Sequence, residues 1–339
     1  MLKRLETLCM LNGISGDENA VRDYICKEII GFAEFEIDNL GNVIAFKKGK
    51  NTPKNKIMIS AHMDEVGMIV NFTNSDGTLK ISPVGGVDPR VVFGRQVIVG
   101  KNKINGVIGA KAVHNLTADE KDKAVTFDNM YIDIGCDNKE EAKKLVSLGD
   151  SVTFSSEFIE FGDGFVKGKA IDDRAGCAVM LEMLKSDLEY DTYFTFVVQE
   201  EIGLRGSRCA AFSVEPDYAL VIESTTAADI PSASGADRVC ELKKGPVVSF
   251  MDRSTIYNKE LYNLAFDCAK ELDIPCQTKT RVAGGNDAGA IHLSRCGVKT
   301  VAVSVPTRYL HSPSCVINKD DYFNTFKLVK ALTDRIYNR

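Results

Sequence analysis

The chain has 339 residues, 44% hydrophobic and 26% charged, which is a globular composition with room for one large or two smaller domains. A net charge of −5, from 42 basic and 47 acidic residues, argues against a nucleic-acid or anionic-membrane partner. No apolar run approaches the roughly 18 residues of a membrane span, and the N-terminal stretch meets Glu6 without a signal-peptide core. The ten cysteines stand without a C-x-x-C pair and read as reduced core thiols of a cytoplasmic protein.

In chain order, residues 2–11 have helical periodicity and stop at Asn12-Gly13. Ser15 with Glu18 three residues on has the spacing of a capping box, which predicts a second helix over 15–30. Two short strands are expected between Phe35 and Phe46. Residues 56–61 read as a buried strand that runs straight into His62-Met63-Asp64-Glu65. From Val66 the composition changes to short Val/Ile strands separated by Gly, Asn and Asp, with one helix expected over 139–148. This pattern suits a β-barrel or sandwich, 66–166, inserted between two parts of an α/β domain, 1–65 and 167–339.

The α/β pattern resumes at Gly168, and Asp172-Asp173 mark the turn into a helix. Residues 192–198 form a strand expected to stop at Glu200 and Glu201, ahead of Gly203 and Gly206. Residues 218–222 form another, ended by Glu223. A helix is expected over 259–272 and a strand over 298–305, with His311 in the loop after it. A C-terminal amphipathic helix covers 320–337.

The ligand-type side chains share one setting. His62 with Asp64, Glu200 with Glu201, Glu223 and His311 each lie at or just beyond a strand's C-terminal end. Open α/β sheets bind ligands there, so four strands would deliver these groups to one edge. Taken singly, each has a structural reading: a surface His-x-Asp pair, a helix N-cap at Asp172-Asp173, a solvated strand end at Glu200-Glu201. Taken together they form a set of imidazoles and carboxylates suited to Zn²⁺, Co²⁺ or Mn²⁺. The set is too large for one tetrahedral ion. It fits two ions about 3.5–4 Å apart that share a bridging carboxylate, with a spare glutamate as general base. Adjacent residues on an extended chain point apart, so Glu200 and Glu201 need not share a role. His114, in the inserted region, and His292, in a helical pattern, read as structural.

The segments AHMDEVG, GKAIDDRAG, VVQEEIGLRGS, VIEST and RYLHSP, in that order, resemble the tetrahedral (TET) and glutamyl aminopeptidases, co-catalytic metallopeptidases of which some carry the name cellulase. GGNDAGAIH resembles that family's Gly-Gly-Thr-Asp-Ala segment, and the likeness spans nearly the whole chain. It implies an α/β fold: a mixed-sheet zinc-peptidase (phosphorylase/hydrolase-like) catalytic domain with an inserted PDZ-like β-barrel as lid and dimerisation domain. It implies His62, Asp172, Glu201, Glu223 and His311 as ligands of two divalent ions, Zn or Co or else Mn, with Asp172 bridging. Asp64 would orient His62, Asp173 would support the Asp172 corner, and Glu200 would be the base acting on a metal-bridging water. The implied activity is removal of the N-terminal residue of short peptides, by dimers that build dodecameric shells. Two departures stand out: Glu223 where the family often has Asp, and Asn286 in place of threonine. The same two-metal edge also serves carboxypeptidases, dipeptidases and N-acyl-amino-acid deacylases. An endoglucanase reading leaves both histidines idle, and a metal-bound scaffold is the non-enzymatic alternative. Arg281 and Arg308 are the candidates for binding an acidic substrate side chain.

Overall fold

A computed structural model describes residues 1–337. The chain opens with α1 (Leu2–Met10) and α2 (Asn19–Ile29), which bury Leu5, Leu8, Val21, Ile25 and Ile29. α2 begins four residues later than the capping-box spacing predicts, because both polar groups of that spacing are used elsewhere. Ser15 Oγ donates to Asp64 Oδ2 at 2.6 Å, and Glu18 Oε1 accepts from Gly16 N at 2.8 Å and Gln199 N at 3.1 Å. These partners displace the local cap. β1 (Glu34–Ile37) and β2 (Val43–Lys47) form a hairpin whose turn is tied by Asp38 Oδ1 accepting from the amides of Leu40, Gly41 and Asn42. β3 (Ile57–His62) follows, buried at every position.

The next strands, β4 (Gly67–Thr73), β5 (Leu79–Val84), β6 (Gln96–Val99), β7 (Ile104–Ala110), β8 (Met130–Asp133) and β9 (Ser151–Phe154), close into a barrel in the order β4-β5-β8-β7-β6-β9. Alternate residues point inward, giving the barrel its own core of Met68, Val70, Ile81, Val97, Ile132 and Val152. Three α-helices lie between these strands in the chain: α3 (Pro89–Val92), α4 (Ala118–Lys121) and α5 (Lys139–Leu145). α5 stops short of residue 148 because Val146 turns extended.

Then come β10 (Ile159–Phe161), β11 (Phe165–Gly168), α6 (Ile171–Lys185), β12 (Thr192–Val197), α7 (Arg205–Val214), β13 (Tyr218–Thr226) and β14 (Val247–Val248). The chain ends with α8 (Lys259–Glu271), β15 (Gln277–Thr278), α9 (Ala288–Ile291), β16 (Lys299–Thr307), β17 (Cys315–Asn318) and α10 (Lys319–Tyr337). The large mixed sheet has the order β1-β2-β12-β3-β13-β16-β14-β15, and its centre, β12-β3-β13-β16, is parallel. Those strands are buried on both faces, which is why they read as continuous apolar runs. Ile57, Ile59, Phe194 and Leu220 face one core with α1, α2, α6, α8 and α10; Met58, Val197 and Val221 face the other with α7 and α9. β10, β11 and β17 form a separate three-stranded sheet.

Two strand ends differ from expectation. β13 continues through Glu223 because it pairs with β16 as far as Thr226 opposite Thr307, so Glu223 lies inside a strand. β12 ends at Val197, and Gln199, at φ +56°, lifts Glu200 and Glu201 off the strand into a turn. Among the described residues no disulfide forms, and no helix is long and apolar enough to cross a membrane.

Candidate metal centre

Parallel pairing assembles the site. Ser60 stands opposite Val221, so His62 and Glu223, each two residues further on, arrive side by side on neighbouring strands. His62 Nε2 lies 3.5 Å from Glu223 Oε1 and 3.2 Å from Asp172 Oδ1. Opposite them, His311 Nε2 lies 3.3 Å from Asp172 Oδ2 and 3.5 Å from Glu201 Oε2. The two oxygens of Asp172 therefore face two different imidazoles. Asp172 reaches both from the non-helical start of α6, at φ −79° and ψ 110°. All five ligand candidates from the sequence meet at this one edge.

Each imidazole is oriented through its other nitrogen. His62 Nδ1 is 3.0 Å from the main-chain oxygen of Asp64, and His311 Nδ1 is 2.9 Å from that of Gly86. A carbonyl only accepts, so Nδ1 carries a proton and Nε2 is the nitrogen that faces the carboxylates. Gly86 belongs to the barrel region, between β5 and α3, and nothing in the sequence marks it, since a main-chain carbonyl has no residue signature. The Asp64 carboxylate lies 3.4 Å from His62 Nδ1. Its shorter contacts are to Ser15 Oγ, Glu200 N and Glu201 N, at 2.6, 3.0 and 3.1 Å.

The site is too acidic for the protein alone. Burial pushes Glu201 and Glu223 up to about 8, with the charge of Asp172 adding to both. Burial also raises Glu200 and Asp173 well above the usual carboxylate range. Asp172 is buried too, yet hydrogen bonds from His311 and His62 hold it far below that range. Burial would lower His311, but Asp172 and Glu201 outweigh it and push the imidazole up to about 9. Among the described residues, the cationic partners of Asp172, Glu201 and Glu223 are these histidines alone. Glu201 Oε1 and Asp173 Oδ2 are buried with no hydrogen-bond partner.

Buried carboxylates in this number require compensating positive charge. The 3.2–3.5 Å separations match neighbouring donors around an ion held at about 2.0–2.2 Å. The residues therefore fit divalent metal ions. Asp173 also groups with His62 and Glu223, their donor atoms within 4.8 Å of one another, as do those of His62, Asp172 and Glu201.

Other candidates fall elsewhere. Arg308 is held in a two-point ion pair with Asp229, both contacts 2.7 Å, and Arg281 is exposed, 3.7 Å from Asp237. Asn286 is committed within the wall: its Nδ2 donates to Tyr257 Oη at 3.0 Å and its Oδ1 accepts from Ala288 N at 3.0 Å. His292 contacts the Ala288 carbonyl and His114 is exposed. Asp287, beside Asn286, is buried and pushed up to about 6 by that burial, and its charge acts on Glu200. Periodicity gives no signal for a buried acid in a glycine-rich loop.

Residues 41–328, which include every ligand candidate, match the profile of the M42 glutamyl aminopeptidases. The lysyl aminopeptidase of Pyrococcus furiosus is 35% identical over 334 residues, covering 96% of this chain and 94% of the relative. Among solved structures, the TET aminopeptidase of Thaumarchaeota archaeon SCGC AB-539-E09 has a TM-score of 0.94 at 34% identity, covering 99% of this chain and 96% of that one. The TET1 peptidase of Pyrococcus horikoshii, which can assemble into a tetrahedron or a large octahedral shell, has a TM-score of 0.87 at 33% identity, covering 98% of both chains. With the site motifs inside the matched span, this chain belongs to the M42 glutamyl aminopeptidase family and is a hydrolase acting as a metallo-aminopeptidase.

Proposed function

We propose that this enzyme uses two divalent ions to release the N-terminal residue of short peptides, with Glu200 as general base. The observation that carries the reading is the division of Asp172, one oxygen toward His62 and the other toward His311. His62, Glu223 and Asp172 Oδ1 would hold one ion; His311, Glu201 and Asp172 Oδ2 would hold the other. Zn²⁺, Co²⁺ and Mn²⁺ all suit this donor set. Two bound ions lower the pKa of a water toward about 7 and polarise the scissile carbonyl.

The remaining steps belong to the chain. A Glu200 carboxylate oxygen accepts a proton from the attacking water as the new O–C bond forms. It returns that proton to the leaving nitrogen as the C–N bond breaks. Glu201 stays a ligand, so the neighbouring glutamates divide the work. The 66–166 region acts as lid and dimerisation module. The chain self-associates as a dimer and builds a larger closed shell, the shell by likeness to the Pyrococcus horikoshii peptidase. The enzyme works in the cytoplasm.

The deciding comparison is Glu200→Gln against Glu201→Gln, with metal content and kcat read on aminoacyl nitroanilides. Glu200→Gln is expected to keep its ions and lose about 10²–10⁴-fold in kcat, whereas Glu201→Gln loses an ion. A fully active Glu200→Gln enzyme removes the base assignment. Cleavage of N-acetylated peptides as readily as free ones turns the reading toward a deacylase.

A further inference from the structure

The segment 13–18 precedes the span matched by the family profile and contributes no metal ligand, yet it ends against the turn that carries Glu200 and Glu201. Gln199 there holds φ +56°, a conformation unfavourable to a residue with a side chain, which persists only when its surroundings enforce it. Three consecutive amides, of Gln199, Glu200 and Glu201, point at two buried carboxylates. Glu18 Oε1 accepts the first at 3.1 Å, and Asp64 Oδ1 and Oδ2 accept the second and third at 3.0 and 3.1 Å. Successive amides in such a turn form a concave anion seat. Glu18 is 6% exposed and Asp64 0% exposed, so water does not substitute for either contact.

Ser15 completes the arrangement by donating to Asp64 Oδ2 at 2.6 Å. The segment itself is anchored at Gly13, whose N donates to Glu65 Oε1 at 3.1 Å and whose O accepts from Glu65 N at 2.9 Å and from Arg174 Nη2 at 3.2 Å. The turn therefore has a fixed base on the protein's far N-terminal side.

We propose that Ser15 and Glu18 are positioning residues that hold the 199–201 turn, and with it the Glu200 carboxylate, where proton transfer occurs. This inference rests on Glu200 being the base. Without the Ser15 hydroxyl, Asp64 loses the shortest of the contacts that fix its rotamer against the two amides. Without the Glu18 carboxylate, the half-buried Gln199 amide loses its acceptor and the turn relaxes.

The test uses the metal-loaded, full-length enzyme with Ser15→Ala, Glu18→Ala, Ser15→Thr and Glu18→Gln, the last two retaining the hydroxyl and one acceptor oxygen. kcat, KM, ion content and Tm are measured for each. The alanine variants are expected to keep the ion content of the unsubstituted enzyme and a KM within about twofold, while kcat falls about 10–100-fold. Ser15→Thr and Glu18→Gln are expected to recover most of that loss. A purely structural role would lower Tm without this loss confined to kcat. Alanine variants with unchanged kcat, or a kcat loss that excess metal restores, overturn the proposal. Should an alanine variant not fold, Glu18→Gln against Glu18→Asp asks the same question, and equal kcat in the two counts against it. An active Glu200→Gln enzyme removes the underlying reading; an inactive one beside fully active alanine variants removes this inference alone.

Discussion

Asp172 stands between two imidazoles, and its carboxylate is the only one whose two oxygens both face a histidine Nε2 among the described residues. Replacing it by asparagine keeps the shape but removes the charge and one accepting oxygen. Asp172→Asn is expected to lose ions from both positions on dialysis, whereas Glu223→Gln weakens chiefly the His62 position; elemental analysis of the dialysed proteins separates the two results. Equal, full retention in Asp172→Asn contradicts a bridging role. Arg174 acts at the same scale. It is fully buried, and its donors meet the main-chain oxygens of Met63 at 2.7 Å, Leu8 at 2.7 Å and Gly13 at 3.2 Å. The Met63 oxygen lies between His62 and Asp64 in the chain. Arg174→Met strands these acceptors, while Glu65 keeps Lys169 at 2.6 Å, so unfolding in urea should show a loss of about 1–3 kcal/mol for each stranded acceptor. A loss under about 1 kcal/mol would mean the site backbone does not depend on it.

At the scale of elements, the catalytic edge depends on parts that contribute no ligand. Gly86 offers its carbonyl to His311 from the barrel region. A Cβ there would lie 3.2 Å from His311 Nδ1 and 3.5 Å from Cε1, so the imidazole must shift. Gly86→Ala is expected to weaken the ion at the His311 position about 10–100-fold while leaving the His62 position loaded. Competition with a fluorescent chelator would show one weakened and one unchanged step. Two equally weakened steps would point to general disruption. Gly176 makes a similar case inside α6. A Cβ there would come within 2.9 Å of Ala61 Cβ and press on the Asp173 carboxylate. Both glycines matter because neighbours approach closely.

For the molecule as a whole, the acidic site predicts how stability depends on pH once metal is removed. Glu201 and Glu223 rise from 4.5 to about 8 in the fold, so between those values the folded chain keeps protons that the unfolded chain has released. His311 rises from 6.5 to about 9, and its contribution is complete below 6.5 and lost as pH passes through 9. Both effects have the same sign: the native state binds more protons, so stability falls as pH rises. The chelated protein should therefore melt at a lower temperature at pH 8.5 than at pH 6. The metal-loaded protein should gain most at pH 8.5, where Glu201 and Glu223 have largely lost their protons and fewer protons oppose the ions. Melting curves with and without chelator at the two pH values test this. A chelated Tm that stays level or rises with pH would show that these carboxylates do not carry the protons assigned to them.

The sequence by itself determined the buried strands, their order of appearance and the residues near their ends, because doubly buried strands write continuous apolar runs and the polar groups after them interrupt those runs; their parallel pairing came from the fold. His62, Glu201, Glu223 and His311 were legible as strand-end groups for that reason and Asp172 as the turn into a helix, while the family resemblance supplied the roles expected of them. Tertiary structure decided what each polar group bonds to. Ser15 and Glu18 have the spacing of a helix cap, but Asp64 and Gln199 N claim them across the fold. Glu223 reads as a strand end until β16 pairs alongside it and extends β13 past it. Arg308 reads as free for substrate until Asp229 binds it. Hydrophobic burial is periodic and leaves its pattern in one dimension. A hydrogen bond joins residues far apart in the chain, and only the folded arrangement says which donor reaches which acceptor.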